Sequence, residues 1–194
     1  MDSELKWLDD GTITSPKGFH AGATYSGIRT YTVDKLDLGI VYSETVCAVA
    51  GTFTTNKIKS PSVVLGQERV NTGRAQAIVV NSGIANACVG EQGMTDAIEM
   101  SDIAAKYLSV DAELVLPSST GLIGVELPMA LIRSGVGKIQ LTSSGGHELA
   151  RAIRTTDTRS KEFAITFQNG EHEYVLGGIA KGSGMVHPNM ATML

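Results

Sequence analysis

The sequence predicts an α+β fold, a layered sheet-and-helix sandwich, and three observations carry that prediction. Apolar runs of strand length at residues 36–42, 45–54 and 77–80 are separated by Gly-, Thr- and Asn-containing breaks. Residues 94–108 instead repeat apolar side chains at helical spacing, through Ala97, Met100, Ala104, Tyr107 and Leu108, with Asp96, Glu99 and Lys106 between them. Residues 163–168 and 171–176 flank Asn169-Gly170, the pattern of a β-hairpin closed by a two-residue turn.

Composition bounds the rest. A chain of 194 residues with 42% apolar content can bury a sizeable core and reads as one unit over 1–194. Its 22 glycines are dispersed, which points to tight turns and close backbone approach rather than to disorder. A formal charge of −4 without basic clusters argues against a nucleic-acid partner. Cys47 and Cys88 lie among apolar or small residues and are expected to be buried, reduced thiols. The N-terminus lacks a signal pattern and no apolar run approaches the ~18 residues of a membrane span. A soluble, cytoplasmic protein without a membrane partner is therefore expected.

Taken in order, residues 11–31 mix Gly with Thr and Tyr and read as short extended segments. Residues 36–42 and 45–54 read as two strands, the second nearly all apolar and so expected to be central. The strand at 77–80 delivers a polar turn whose Asn81, Ser82 and Asn86 either donate hydrogen bonds to a substrate or simply form the turn. After the helix over 94–108, a short strand at 114–117 ends in a Ser118-Ser-Thr-Gly121 turn. Residues 129–137 and 147–154 read as two further helices, the second leaving through the hydroxyl-rich Thr155-Thr-Asp-Thr158. The hairpin's returning strand then runs into Lys181.

The chemistry concentrates at the C-terminal end, in Lys181-Gly-Ser-Gly-Met-Val-His-Pro-Asn-Met-Ala-Thr-Met-Leu194. Glycines around Ser183 let backbone approach closely, Pro188 stiffens the path, and Ala191 leaves the bond before Thr192 unobstructed. A threonine Oγ can attack the preceding carbonyl carbon through a five-membered ring and convert the peptide to an ester. Hydrolysis would leave Thr192 with a free α-amino group, whose ordinary pKa of about 7.7–8.0 suits it to act as base for its own hydroxyl. Acyl transfer also needs donors aimed at the developing oxyanion, which Thr120 and Gly121 could provide. No Gly-x-x-x-x-Gly-Lys order supports a nucleotide loop, and His20, His147, His172 and His187 show no zinc spacing, so no metal and no resident cofactor are expected.

The block from Lys181 to Leu194 resembles the self-cleavage motif of the ornithine acetyltransferase (glutamate N-acetyltransferase) family of arginine biosynthesis, and Ser15-Pro-Lys-Gly-Phe19, Ala50-Gly-Thr-Phe-Thr-Thr-Asn-Lys57, Asn81-Ser-Gly-Ile-Ala-Asn-Ala87 and Ser118-Ser-Thr-Gly-Leu-Ile-Gly124 are similar to further blocks of it. Ile84 stands where Asn is common. The resemblance implies the layered fold of the self-processing ornithine acetyltransferase / DmpA-like type, with this sequence as the first (alpha) chain. It implies cleavage between Ala191 and Thr192, although the sequence continues through Met193 and Leu194. It further implies acetyl transfer from N2-acetyl-L-ornithine to L-glutamate through acetyl-Thr192, with Thr120 and Gly121 as oxyanion hole and Thr155 and Lys181 as substrate contacts. Lys181 is expected at the mouth of the site, facing a substrate carboxylate. Acetyl-CoA is a possible second donor. The implied partners are a second (beta) chain from the same precursor, in an alpha2beta2 assembly. Two rival readings are a self-processed amidohydrolase or aminopeptidase, and a non-catalytic binding subunit.

Overall fold

Two sheets organise the chain in a computed structural model that describes residues 5–29, 35–187 and 193–194. The first is four-stranded, in the order β2 (Phe19–Thr24), β3 (Leu38–Ala48), β4 (Arg74–Ile84), β5 (Val115–Leu122). Its first three strands are antiparallel neighbours, while β5 runs parallel to β4. A parallel neighbour needs a crossover, and helices α1 (Pro61–Val70) and α2 (Gln92–Leu108) precede and follow β4. The second sheet pairs β1 (Lys6–Trp7) with β6 (Lys161–Asn169), and β6 with β7 (His172–Ala180), all antiparallel.

Side chains alternate across a strand, and the four-stranded sheet buries both faces. One face carries Leu38, Ile40 and Val79 into a core with Met100 and Ala104 of α2 and Ile132 of α3 (Met129–Val136). The opposite face carries Val41 and Val80 against Leu149 and Ile153, on and just after α4 (Gly146–Ala152). Helix α4 touches β2 and β3 on one side and β6 on the other, so it lies between the sheets. The layered α+β architecture expected from the sequence is therefore present, as are helices at 94–108, 129–137 and 147–154 with ends shifted by one or two residues.

Several local expectations need correction. The two strands expected at 36–42 and 45–54 are one strand, β3, interrupted by a bulge: Tyr42 pairs with Ala77 and Cys47 with Ala75, so five steps on β3 oppose two on β4. The second run is not central, since Val46 is 38% exposed and residues 49–54 lie outside the strand. The polar residues after 80 do not form a turn, because β4 continues through Asn81 and Ser82 to Ile84. Ser118 to Gly121 is likewise strand, the second half of β5. Pro117 is tolerated there because β5 is the sheet edge, where a strand can lack one ladder donor. Asp96, one of the charged residues between the apolar positions of α2, is buried and accepts from Gln92 Nε2 at 2.8 Å.

The hairpin forms with a register one residue from the expected one. Asn169 pairs with His172, leaving Gly170-Glu171 as the turn. Gly170 has φ +66° and Glu171 is not among the positive-φ residues, the combination of a type II′ turn with Gly first. Cys47 and Cys88 are free thiols as expected but not buried: Cys47 is half-exposed and Cys88 exposed. Helix α1 was not anticipated, although Ser60, whose Oγ accepts from Val63 N, and Pro61 in the first turn are helix-start signals.

Candidate active site

The parallel strands β4 and β5 set the register of the site, with Ser82 beside Thr120 and Gly83 beside Gly121. At Gly121, φ is +138° and a Cβ would fall within 2.5 Å of Gly83 carbonyl atoms and Ile84 N. Only glycine fits a backbone so placed. Thr120, one residue earlier, is fully buried with its hydroxyl pointing at the ammonium of Lys181.

Lys181 follows directly on β7 and is 2% exposed. Its Nζ donates to Thr120 Oγ1 at 2.9 Å and to Thr155 Oγ1 at 2.9 Å. The end of β5, the exit of α4 and the end of β7 thus meet on one ammonium. Because Lys181 fills an acceptor position of Thr120, the threonine keeps its hydroxyl hydrogen free to donate elsewhere, polarised by the neighbouring charge. Burial pushes the Lys181 ammonium below its ordinary pKa; Asp157 opposes this, while Arg29 and Lys161 add to it.

Asp157 holds the surroundings together. Its side chain is 1% exposed, and it accepts from Gly182 N at 3.0 Å, from Thr155 N at 3.5 Å and from Lys161 Nζ. Burial alone would raise its pKa, but the Lys161 hydrogen bond and the two backbone donors outweigh it and bring the carboxyl to about 2. One carboxylate therefore ties the α4 exit to the residue after Lys181.

Lys181 also pairs through its backbone with Leu194. Lys181 N donates to Leu194 O at 2.9 Å and Leu194 N to Lys181 O at 3.3 Å, the reciprocal pairing of two antiparallel residues. Met193 and Leu194 thereby line a cleft of about 780 Å³ that also reaches Ser118, Ser119 and Thr120. Apolar side chains from α1 and nearby loops, including Phe53, Val63 and Ile123, form its walls.

Of the residues singled out in the sequence, Thr120, Thr155 and Lys181 come together, and Gly121 sits next to Thr120. Ala191 and Thr192, like Pro188, lie outside the described residues. Lys181 is not at the mouth of the site but buried, since β7 delivers it between two packed elements. Asn81, Ser82 and Asn86 turn out to be structural. Asn81 Nδ2 donates to Ile84 O, Ser82 Oγ to Ala152 O, and Asn86 Nδ2 to Gly93 O, all fully buried. Two residues given no role from sequence matter to the geometry. Asp157 stood inside the quoted Thr-Thr-Asp-Thr block without a partner to suggest its clamp; Arg29, 5% exposed and donating to Ser82 Oγ at 2.8 Å, carried no local signal. Among the described residues no group of three His, Cys, Asp or Glu could hold a metal ion, and no helix is long and apolar enough to cross a membrane.

Comparison with known proteins finds relatives of this chain. The family model described as the ArgJ family matches residues 20–194. The arginine biosynthesis bifunctional protein ArgJ of Dehalococcoides mccartyi is 50% identical over 194 residues, covering 100% of this chain and 48% of the relative. The protein of the same name from Caldanaerobacter subterraneus is 46% identical over 187 residues, covering 95% and 46%. The chain thus spans about half the length of the curated relatives it matches. Among solved structures, the arginine biosynthesis bifunctional protein argJ from Bacillus halodurans has a TM-score of 0.92 at 36% identity, with 98% of this chain and 100% of that chain covered. The ornithine acetyltransferase complexed with ornithine from Mycobacterium tuberculosis has a TM-score of 0.88 at 35% identity, with the same coverage. A family match across residues 20–194, relatives sharing up to half of the aligned residues and a backbone held in common with two solved structures lead to one conclusion: this chain belongs to the ArgJ family.

Proposed function

We propose that this chain is the first half of an acetyltransferase that moves the acetyl group of N2-acetyl-L-ornithine to L-glutamate, with Thr192 as nucleophile after the Ala191–Thr192 bond is cut. The observation that carries the reading is the Lys181 ammonium, which joins the Thr155 hydroxyl to that of Thr120, a residue lining the same cleft as Met193 and Leu194. Coverage supports the chain break: this chain fills about half of each curated relative but 100% of the matching chain in each solved structure.

In the processing step, Thr192 Oγ attacks the Ala191 carbonyl carbon, the C–N bond breaks, and the acyl group moves to oxygen as an ester. Water then cleaves the ester, leaving a carboxylate on Ala191 and a free amine on Thr192. In the transfer, Thr192 Oγ attacks the acetyl carbonyl of N-acetylornithine while its α-amino group takes the hydroxyl proton and passes it to the departing ornithine amine. Glutamate's amine then attacks the acetyl ester, and the proton returns to Oγ. Each tetrahedral intermediate places negative charge on a carbonyl oxygen. Thr120 has a free hydroxyl hydrogen to meet that charge, and a missing donor of this kind typically costs about 10²–10³ in rate. The buried ammonium beneath it stabilises the same charge through a medium of low dielectric. Lys181 and Thr155 would contact the substrate, the beta chain would supply the remaining contacts, and acetyl-CoA could serve as a second donor.

The deciding experiment is mass spectrometry of the full-length gene product alongside its Thr192→Ala variant. Two chains separated before Thr192 in the first, and one intact chain in the second, are expected. An uncut wild-type protein sinks the mechanism. Ornithine release from N-acetylornithine that is indifferent to glutamate replaces the transferase reading with a hydrolase.

A further inference from the structure

A closed ring of hydrogen bonds runs through the Lys181 ammonium. Lys181 Nζ donates to Thr155 Oγ1 at 2.9 Å, Thr155 N donates to Asp157 Oδ2 at 3.5 Å, and Gly182 N donates to Asp157 Oδ1 at 3.0 Å. The peptide bond from Lys181 to Gly182 completes the circuit. Lys161 Nζ donates to the same Oδ1. Lys161 opens β6 and pairs with Ala180, the residue before Lys181, so this second cation is anchored on the strand beside β7. The Asp157 side chain is 1% exposed, which leaves solvent little access to its carboxylate.

An ammonium that stabilises a developing negative charge acts through its place and through its charge, and Asp157 bears on both. Thr120 Oγ1 and Thr155 Oγ1 both accept from Lys181 Nζ, so a shift of the Lys181 backbone moves one donor away from two acceptors. Misplacement by about 1 Å at a reacting site can cost about 10²-fold in rate. Among the described residues, the charges that act on Lys181 are Asp157 after α4, Arg29 before β3 and Lys161 on β6, and only Asp157 is negative. We propose that Asp157 is a positioning residue for acetyl transfer, acting through Lys181: it fixes Thr155 and Gly182 around the ammonium and places a negative charge beside it. This rests on the reading of the chain as part of an acetyltransferase. Asp157 raises the Lys181 pKa while Lys161 lowers it, so two groups that are hydrogen-bonded to each other act on the ammonium with opposite sign.

The test is the pH dependence of acetyl transfer from N-acetylornithine to glutamate by the full-length mature enzyme, as wild type, Asp157→Asn and Lys161→Met, each checked for folding by thermal melting. Asp157→Asn, close to isosteric, should lower kcat/KM about tenfold or more. It should also move the alkaline limb of the profile down by about one pH unit, because without the carboxylate Lys181 sheds its proton sooner. Lys161→Met should move the same limb upward. A clamp that serves folding alone shifts neither limb, so limbs unmoved in both variants, or moved in the same direction, overturn the proposal. In parallel, NMR of these proteins carrying lysine labelled at Cε, with the Lys181 signal identified by its absence in Lys181→Met, should show the Lys181 titration moving in the same two opposite directions without substrate. A wild type that transfers no acetyl group refutes the transferase reading alone, since the lysine titration still decides whether Asp157 governs the ammonium.

Discussion

Replacing Gly121 with alanine tests whether the site's geometry depends on contact between the backbones of β4 and β5. Two costs add at this position. A φ of +138° is territory that side-chain-bearing residues rarely enter, which costs about 1–3 kcal/mol. The new methyl carbon would also sit within 2.5 Å of Gly83 carbonyl atoms and Ile84 N, all backbone, so nothing can rotate aside and the strands must separate. Forcing atoms into a packed interior adds about 1–3 kcal/mol. The sum, about 2–6 kcal/mol, is a large share of the stability of an ordinary domain. Gly124 is the control: its φ is +79°, but a Cβ there meets nothing within 4 Å, so Gly124→Ala should show only the backbone cost of about 1–2 kcal/mol. Urea unfolding of the full-length protein, followed by circular dichroism, should place the Gly121→Ala midpoint well below that of Gly124→Ala. Indistinguishable midpoints would refute the idea that strand contact, rather than φ alone, demands glycine.

Two further outcomes follow from buried charges. The folded pKa of Asp157, about 2, lies below its ordinary 3.8, so its contribution is fully present above the unfolded value and is lost as pH falls through the folded one. A difference of that size corresponds to about 2 kcal/mol. Urea unfolding at pH 5 and pH 2.5 should show this loss in the wild type and a smaller one in Asp157→Asn; equal losses in the two proteins would contradict it. Arg69, 3% exposed, donates to Val115 O at 2.6 Å at the start of β5, so Arg69→Met should cost about 1–3 kcal/mol by leaving that carbonyl without this donor. A thermal midpoint equal to that of wild type would show that the carbonyl finds another partner.

What could be read from the sequence was whatever local periodicity or turn chemistry encodes. Ala97, Met100 and Ala104 announced α2, and the Asn-Gly pair announced a hairpin, though not which two residues close it. That choice depended on register, where pairing of Asn169 with His172 won over the favoured dipeptide. Residues 118–121 look like a turn in isolation and become strand because β4 lies parallel beside them, a long-range partner that no local window contains. Helix α1 has cap and proline signals but a weakly segregated face, with polar Ser62 and Arg69 among its buried positions. The burial of Lys181 was not legible for the same reason as the β5 strand: its acceptors lie 61 and 26 residues away in sequence. Thr120, Gly121, Thr155 and Lys181 were found through motif resemblance. Asp157 and Arg29, which hold backbone and side chains around them, became visible only in three dimensions.

The reciprocal hydrogen bonds between Lys181 and Leu194 fasten Leu194 to the same residue whose ammonium holds the Thr120 and Thr155 hydroxyls. Met193 and Leu194 also line the cleft. Anything that displaced these two residues from the cleft would break both backbone bonds and loosen the segment that carries the ammonium. The backbone pair thus couples what occupies the cleft to the position of a buried charge.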